Sequence, residues 1–280
     1  MSKADIRLTI LADNIAQSGF IAEHGFALLI ESNKQRFLFD TGQGEALFEN
    51  ANRLNIVLTD LDGIILSHGH FDHGGNIKKL LHDNPNTTLY LHPDCLQIRY
   101  SIHPNKAVRV ISLTEETLAA IEQFPAEQKV FNKSITQITE QLFISGEIPR
   151  IHNENGKKTP FYLDPFKQTL DKLLDDQSLW IETTTEVIVI SGCCHAGVIN
   201  TLTHIQQNNH QKKTTTLLGG LHLHNADKNK LDNTINYLHE TNISKLYLAH
   251  CTGVESSQYL KSQFNGTVKS CYAGLTLSIQ

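Results

Sequence analysis

Short apolar runs separated by amphipathic stretches dominate the chain and predict an alternation of strands and helices. Ile6–Leu11 reads as a first strand. Phe26–Ile30 and Arg36–Phe39 read as a hairpin around Glu31-Ser32-Asn33-Lys34, and the second of these runs into Asp40-Thr41-Gly42. Glu45–Leu54 has helical spacing, Ile64–Leu66 is a buried strand, Ile77–His82 is a helix, and Thr87–Leu91 is a strand ending at His92-Pro93. From about residue 93 to 176 the pattern loosens. Leu113–Phe124 is a helix opened by Thr114. Pro125, Pro149, Pro160 and Pro165 interrupt the remainder, and Ile151–Thr159 is a polar loop. Regular alternation returns with strands at Leu179–Ile181, Val187–Ile190, Thr214–Leu218, Lys245–Leu248 and Val268–Ser270. Helices at Val198–Gln206, Asp227–Glu240 and Glu255–Phe264 lie between them. The expectation is one α/β domain over residues 1–280, with the stretch at about 93–176 inserted over the site.

Composition narrows the class. Apolar residues make up 40%, enough for a sizeable interior, and the formal charge of −5 argues against a nucleic-acid surface. Asp5 and Arg7 interrupt the first apolar run, which is therefore not expected to be a signal peptide. No run of about 18 apolar residues that could span a membrane follows. Five cysteines without a framework of spacings point to reduced thiols and a cytoplasmic location. The 15 histidines are the unusual feature, because several are placed rather than scattered.

The densest cluster follows the strand at Ile64–Leu66, where His68, His70, Asp72 and His73 fall within six residues before Gly74-Gly75. Three imidazoles and a carboxylate at this spacing are a metal-ligand set, and mixed nitrogen and oxygen donors suit zinc, manganese or iron. They fall into two pairs, His68/His70 and Asp72/His73, which a tight turn can aim at two adjacent ions. The same event, an apolar strand followed at once by histidine, recurs at His195, His222 and His250. Strand carboxyl ends gather along one edge of such sheets, so these distant histidines can meet. His92 is expected to make a structural polar contact, and His82, His204, His210 and His239 to face solvent. Cys193 and Cys194 could be soft ligands, but nothing pairs with them at zinc-ribbon spacing, and they and Cys251 are expected to be small residues packed near the site.

HGHFDHGG at 68–75 resembles the signature of the metallo-β-lactamase fold superfamily. Further strings are similar to its branch containing the dihydropterin–ribofuranosylaminobenzene phosphate synthases. They are Glu23-His24-Gly25, GEIPR at 146–150, DDQSL at 175–179, GCCHAGVIN at 192–200, GGLHL at 219–223 and HCTG at 250–253. The resemblance implies a four-layer αβ/βα sandwich of two mixed sheets with helices outside, and two divalent ions, zinc first, with iron or manganese as alternatives. His68, His70 and His195 would hold one ion, and Asp72, His73 and His250 the other, with His222 nearby as ligand or substrate contact. A bridging aspartate common in the superfamily has no counterpart at Gly219-Gly220-Leu221-His222. Asp40 would orient a ligand imidazole. Asp72 would also position a water acidified by the metal. His24, Lys133 and Arg150 would contact a small anionic substrate, phosphorylated or pterin-like. Three functions follow in order: a phosphoester hydrolase, a pterin transferase with pyrophosphate as leaving group, and a non-catalytic metal- or pterin-binding protein.

Overall fold

A computed structural model of the chain describes residues 6–154, 159–210 and 212–279. Residues 155–158 of the expected polar loop lie outside the described residues. Seven strands form a first sheet in the order β17 (Thr276–Ile279), β1 (Ile6–Ala12), β2 (Ala27–Ser32), β3 (Gln35–Phe39), β4 (Gly63–Ile65), β5 (Thr88–Leu91) and β8 (Lys129–Phe131). Seven more form a second sheet in the order β16 (Thr267–Ser270), β15 (Lys245–Ala249), β14 (Thr214–Gly220), β13 (Val187–Ser191), β12 (Ser178–Glu182), β10 (Leu142–Ile144) and β9 (Thr136–Gln137). Both sheets are mixed: β3–β4–β5–β8 and β13–β14–β15–β16 run parallel, and the other neighbours antiparallel.

The period-two alternation within strands explains why the sheets stack. Leu8 and Ile10, Leu28 and Ile30, and Phe37 and Phe39 point into a core shared with Ile188, Ile190 and Leu218 of the other sheet. The opposite faces carry Leu11, Leu29 and Leu38 on the first sheet and Val187, Val189 and Leu217 on the second. Helices cover these outer faces. On the first sheet they are α1 (Ala46–Arg53), α3 (Ile77–Asp83) and α4 (Glu115–Gln123). On the second they are α5 (Val198–Asn208), α6 (Lys228–Glu240) and α7 (Val254–Gln263). Each fully buried Leu or Ile contributes about 1.5–3 kcal/mol, so the amphipathic spacing is sufficient cause for the docking. The result is the helix–sheet–sheet–helix sandwich expected from the sequence. No described helix is long and apolar enough to cross a membrane.

Local chemistry sets the boundaries. The turn between β2 and β3 needs only Asn33 and Lys34, both at positive φ (51° and 69°), as a two-residue hairpin requires. Thr114 caps α4 by accepting the Thr117 N–H at 3.2 Å, and Asp227 caps α6 through the Lys230 N–H at 3.0 Å. After β4 the expected tight turn is instead a single helical turn, α2 (Phe71–Gly74). The stretch 93–176 is woven into the main fold, since it supplies β8 to one sheet and β9 and β10 to the other. It also contributes a small sheet of β11 (Phe161–Tyr162), β6 (Tyr100–Ser101) and β7 (Arg109–Val110). His92 caps the turn after β5 by accepting the Asp94 N–H at 3.1 Å.

Candidate metal centre

The carboxyl ends of β4, β13, β14 and β15 meet on one rim, and the histidines that follow them converge there. His68 Nε2 lies 2.8 Å from His70 Nδ1 and 3.2 Å from His195 Nε2. All three rings are at least nine-tenths buried. A second set lies beside the first. His73 Nε2 is 3.2 Å from His250 Nε2, and Asp72 Oδ2 is 3.8 Å from His73 Nε2 and 3.5 Å from His250 Nε2. The rings of His68 and His73 are only 4.2 Å apart, so the two sets are neighbours. His222 borders the first set, its ring centroid 4.3 Å from that of His195. His24 stands at the rim, half-exposed, with Nε2 3.1 Å from Asp72 Oδ2.

Three of the inward nitrogens are aimed by what their rings do on the other side. His73 Nδ1 donates to Asp40 Oδ2 at 2.6 Å. His68 Nδ1 pairs with Ser67 Oγ at 2.9 Å, and that hydroxyl donates to the same Asp40 oxygen at 2.7 Å. The other Asp40 oxygen accepts the Ser67 N–H at 2.7 Å. One buried carboxylate, at φ +58°, thus fixes one ring from each set. His250 Nδ1 donates to Asn14 Oδ1 at 2.8 Å, while its N–H donates to Asp13 Oδ1 at 2.7 Å. On His68 and His250 a proton held on the outer nitrogen leaves the inner lone pair free for a cation, whereas a cation at His73 would displace the proton on its inner nitrogen.

The DDQS segment braces the loops from below. Asp175 Oδ2 accepts the Gly69 N–H at 2.8 Å, and Asp176 Oδ2 accepts the Ala196 N–H at 2.7 Å. Gln177 Nε2 donates to the Leu66 carbonyl at 2.8 Å. Asp175 is itself gripped by buried Arg99, whose Nη1 and Nη2 each lie 2.7 Å from one of its oxygens; Arg99 Nε bonds Asp171 at 2.7 Å. Residue 69 must be glycine, because a Cβ there would stand 2.3 Å from the Cys95 carbonyl oxygen and 2.5 Å from Arg99 Nη1.

Burial governs the protonation states. It pushes the His68 and His195 imidazoles well below their usual range, and the neighbouring imidazoles add to the effect. Burial likewise lowers His70 to about 3 and His250 to about 4. His73 goes the other way: burial opposes its charge, but Asp40 and Asp72 outweigh it and raise it to about 9. Burial also works against Asp72, yet His73, His24 and His250 hold its carboxyl well below the usual carboxylate range. The hydrogen bond to Asp72 raises His24. Lone pairs of three neutral imidazoles facing one another in a dry site, beside an ionised carboxylate, fit a divalent cation by charge and by donor type.

Cys193 and Cys251, expected as small residues packed near the site, lie there with their sulfurs 3.1 Å apart, whereas Cys194 packs into the core of the second sheet. Phe161 of β11 lies over the first set, its ring 5.3 Å from His70 and 5.6 Å from His195. Beside Phe161 and His222 opens a cavity of about 700 Å³, reaching to His152, His224 and the start of α6. The two expected anion contacts fare differently. Arg150 gives its guanidinium to the carbonyls of Lys172 and Leu173, at 2.6 and 3.1 Å, while acting electrostatically on His195 and Asp176. Lys133 is exposed, and its carbonyl accepts the Glu147 N–H. Of the helical and loop histidines, His204 bonds the Ser145 carbonyl at 3.1 Å and His210 pairs with Glu182 at 2.9 Å.

The model of the metallo-beta-lactamase superfamily matches residues 21–250, and the chain belongs to that superfamily. Among characterised relatives, it is 28% identical to the 7,8-dihydropterin-6-methyl-4-(beta-D-ribofuranosyl)-aminobenzene-5'-phosphate synthase of Methanocaldococcus jannaschii, covering 96% of this chain and 95% of that one. An uncharacterised protein of the same organism is 30% identical over 93% of this chain and 96% of its own length. The crystal structure of a metal-dependent hydrolase of the beta-lactamase superfamily superposes with a TM-score of 0.82 at 28% identity, covering 98% and 99% of the two chains. Zinc-bound PqqB from Methylobacterium extorquens shares the fold, with a TM-score of 0.60 at 12% identity.

Proposed function

We propose that the chain is a metal-dependent hydrolase of small anionic esters, phosphoesters first. His68, His70 and His195 would hold one divalent ion, and Asp72, His73 and His250 the other. The observation that carries the reading is the convergence of these two buried donor sets beside an open cavity. Divalent ions there supply Lewis acidity toward a phosphoryl oxygen and acidify water near neutral pH. The chain's own groups do the rest. Asp72, ionised and pointing inward, would orient the attacking water. His24 stands at the mouth of the site, where its hydrogen bond to Asp72 favours the protonated ring, and is placed to hand a proton to the departing oxygen. Phe161 roofs the first donor set and keeps bulk water away from it. Lys133 and Arg150 remain candidates for the substrate's charge at longer range.

The near full-length similarity to a pterin-related synthase supports a second reading, a transferase. A cavity of about 700 Å³ walled by Phe161 could admit a flat ring system. One pair of assays separates the two. Metal-reconstituted protein should turn over a chromogenic phosphodiester, and His68→Ala should lower that rate by at least about 100-fold, since even groups that merely orient ligands cost 10–100-fold. Unchanged turnover in His68→Ala sinks the hydrolase. Pyrophosphate release that requires both a pterin-methyl pyrophosphate and an aminobenzene ribofuranosyl phosphate would establish the transferase instead.

A further inference from the structure

The two donor sets have an electrostatic shortfall. Two divalent ions would face a single ionised ligand, Asp72, with the Asp40 charge one layer beneath. A carboxylate at the end of β14 would make up the difference, but that position reads Gly219-Gly220-Leu221-His222. What occupies the space is sulfur. Cys193 Sγ lies within 4.8 Å of ligand atoms of His68 and His73, of His195 and His222, and of His250 and Cys251. It is therefore in reach of both donor sets at once. Cys251 Sγ lies 3.1 Å from Cys193 Sγ and accepts the His222 N–H at 3.2 Å. Both cysteines are more than nine-tenths buried, and neither is in a disulfide.

The backbone is built to put the sulfurs there. Gly192, just before Cys193, lies so close to the first ligand loop that a Cβ would stand 2.3 Å from Ser67 Oγ and 2.6 Å from Asp40 Oδ2. His250, just before Cys251, and His222 hold the left-handed conformation at φ 45° and 50°. Strain of this kind persists where the surrounding structure over-determines a site.

We propose that Cys193 supplies, as a thiolate, the anionic ligand shared between the two metal positions, with Cys251 as a second sulfur donor on the His250 side. This rests on the two-position reading above. It makes the second position a soft one, with sulfur, nitrogen and oxygen donors, and so favours zinc, iron or cadmium there over magnesium or manganese. Binding would release the thiol protons to solvent.

Cobalt(II) loading of the whole reduced protein tests it without reference to turnover. Expected are two cobalt ions per chain and a near-ultraviolet thiolate-to-cobalt charge-transfer band. Cys251→Ser should cut the band by about half, and Cys193→Ser should remove most of it together with about one bound ion. Cys193→Asp should keep both ions and lose that share of the band, which separates loss of a ligand from loss of the fold. Far-ultraviolet circular dichroism checks each variant. Two bound ions with no charge-transfer band would overturn the proposal. So would an undiminished band in Cys193→Ser, or a Cys193–Cys251 disulfide recovered from reduced, metal-loaded protein. If the band behaves as expected but no phosphodiester is hydrolysed, the ligand assignment stands and only the substrate reading fails.

Discussion

Asp176 is wholly buried beneath the His195 loop, with one oxygen on the Ala196 N–H and the other, Oδ1, without a partner. Burial lifts its carboxyl from 3.8 to about 6. The folded chain therefore keeps this proton to higher pH than the unfolded chain does. The group costs nothing below about 4, destabilises progressively from about 4 to 6, and imposes its full penalty above that. Asp176→Asn keeps the accepting oxygen and removes the charge. In chelator-treated protein it should gain on the order of 1–2 kcal/mol over wild type at pH 7 and nothing at pH 4, read from urea midpoints. A gain independent of pH would rule out the buried charge as its cause. At this scale the sequence is legible wherever chemistry is dense. His68, His70, Asp72 and His73 betray themselves by spacing, and Asp40 by its place after a strand. Asp13-Asn14 follow β1 in the same way, so the signal for their hold on His250 was available. Cys193 and Cys251 are lone sulfurs with no spacing partner, and only their proximity in sequence to His195 and His250 could have marked them. Nothing in the irregular stretch around Phe161 announces a ring over the first donor set.

The element that most rewards attention is the short connection into β12, where Asp175, Asp176 and Gln177 tie down the loops after β4 and β13. Its anchor is the Arg99–Asp175–Asp171 cluster, out of contact with water. Removing one partner of such a group leaves uncompensated buried charge, at about 3–5 kcal/mol. Arg99→Ala should lower stability by that amount and reduce metal affinity as well, because the Gly69 N–H loses a fixed acceptor. Chemical denaturation and metal titration measure the two effects, and a loss below about 1 kcal/mol would show that the cluster is not the anchor. Arg99→Met with Asp171→Asn and Asp175→Asn should recover part of the stability. The sequence foretold the long elements because burial on one face imposes a period, as in Leu8/Ile10 or Val198/Leu202/Ile205. It did not foretell β6, β7, β9 and β11, strands of two residues whose existence depends on neighbours rather than on pattern.

For the whole molecule, the donor sets cross-link the two sheets. His68, His70, Asp72 and His73 come from the first, and His195 and His250 from the second. An ion bound only by the folded state adds about 4 kcal/mol at a thousandfold excess over its dissociation constant. For a chain of this size that is roughly 8–15 °C in melting temperature. Scanning calorimetry with and without chelator should show that drop, and an unchanged melting temperature would mean that nothing bridges the sheets. Alternating αβ runs made the layered architecture predictable. The pairing of β17 with β1 was not, because it joins the two ends of the chain. That closure dictates when the centre can exist. Each donor set needs residues from beyond position 190 of a 280-residue chain, and the first sheet is finished only by Thr276–Ile279. A growing polypeptide can complete the first donor set only once His195 is made and the second only once His250 is made, so a nonsense product ending between them would retain all three residues of the first set and lack a donor of the second.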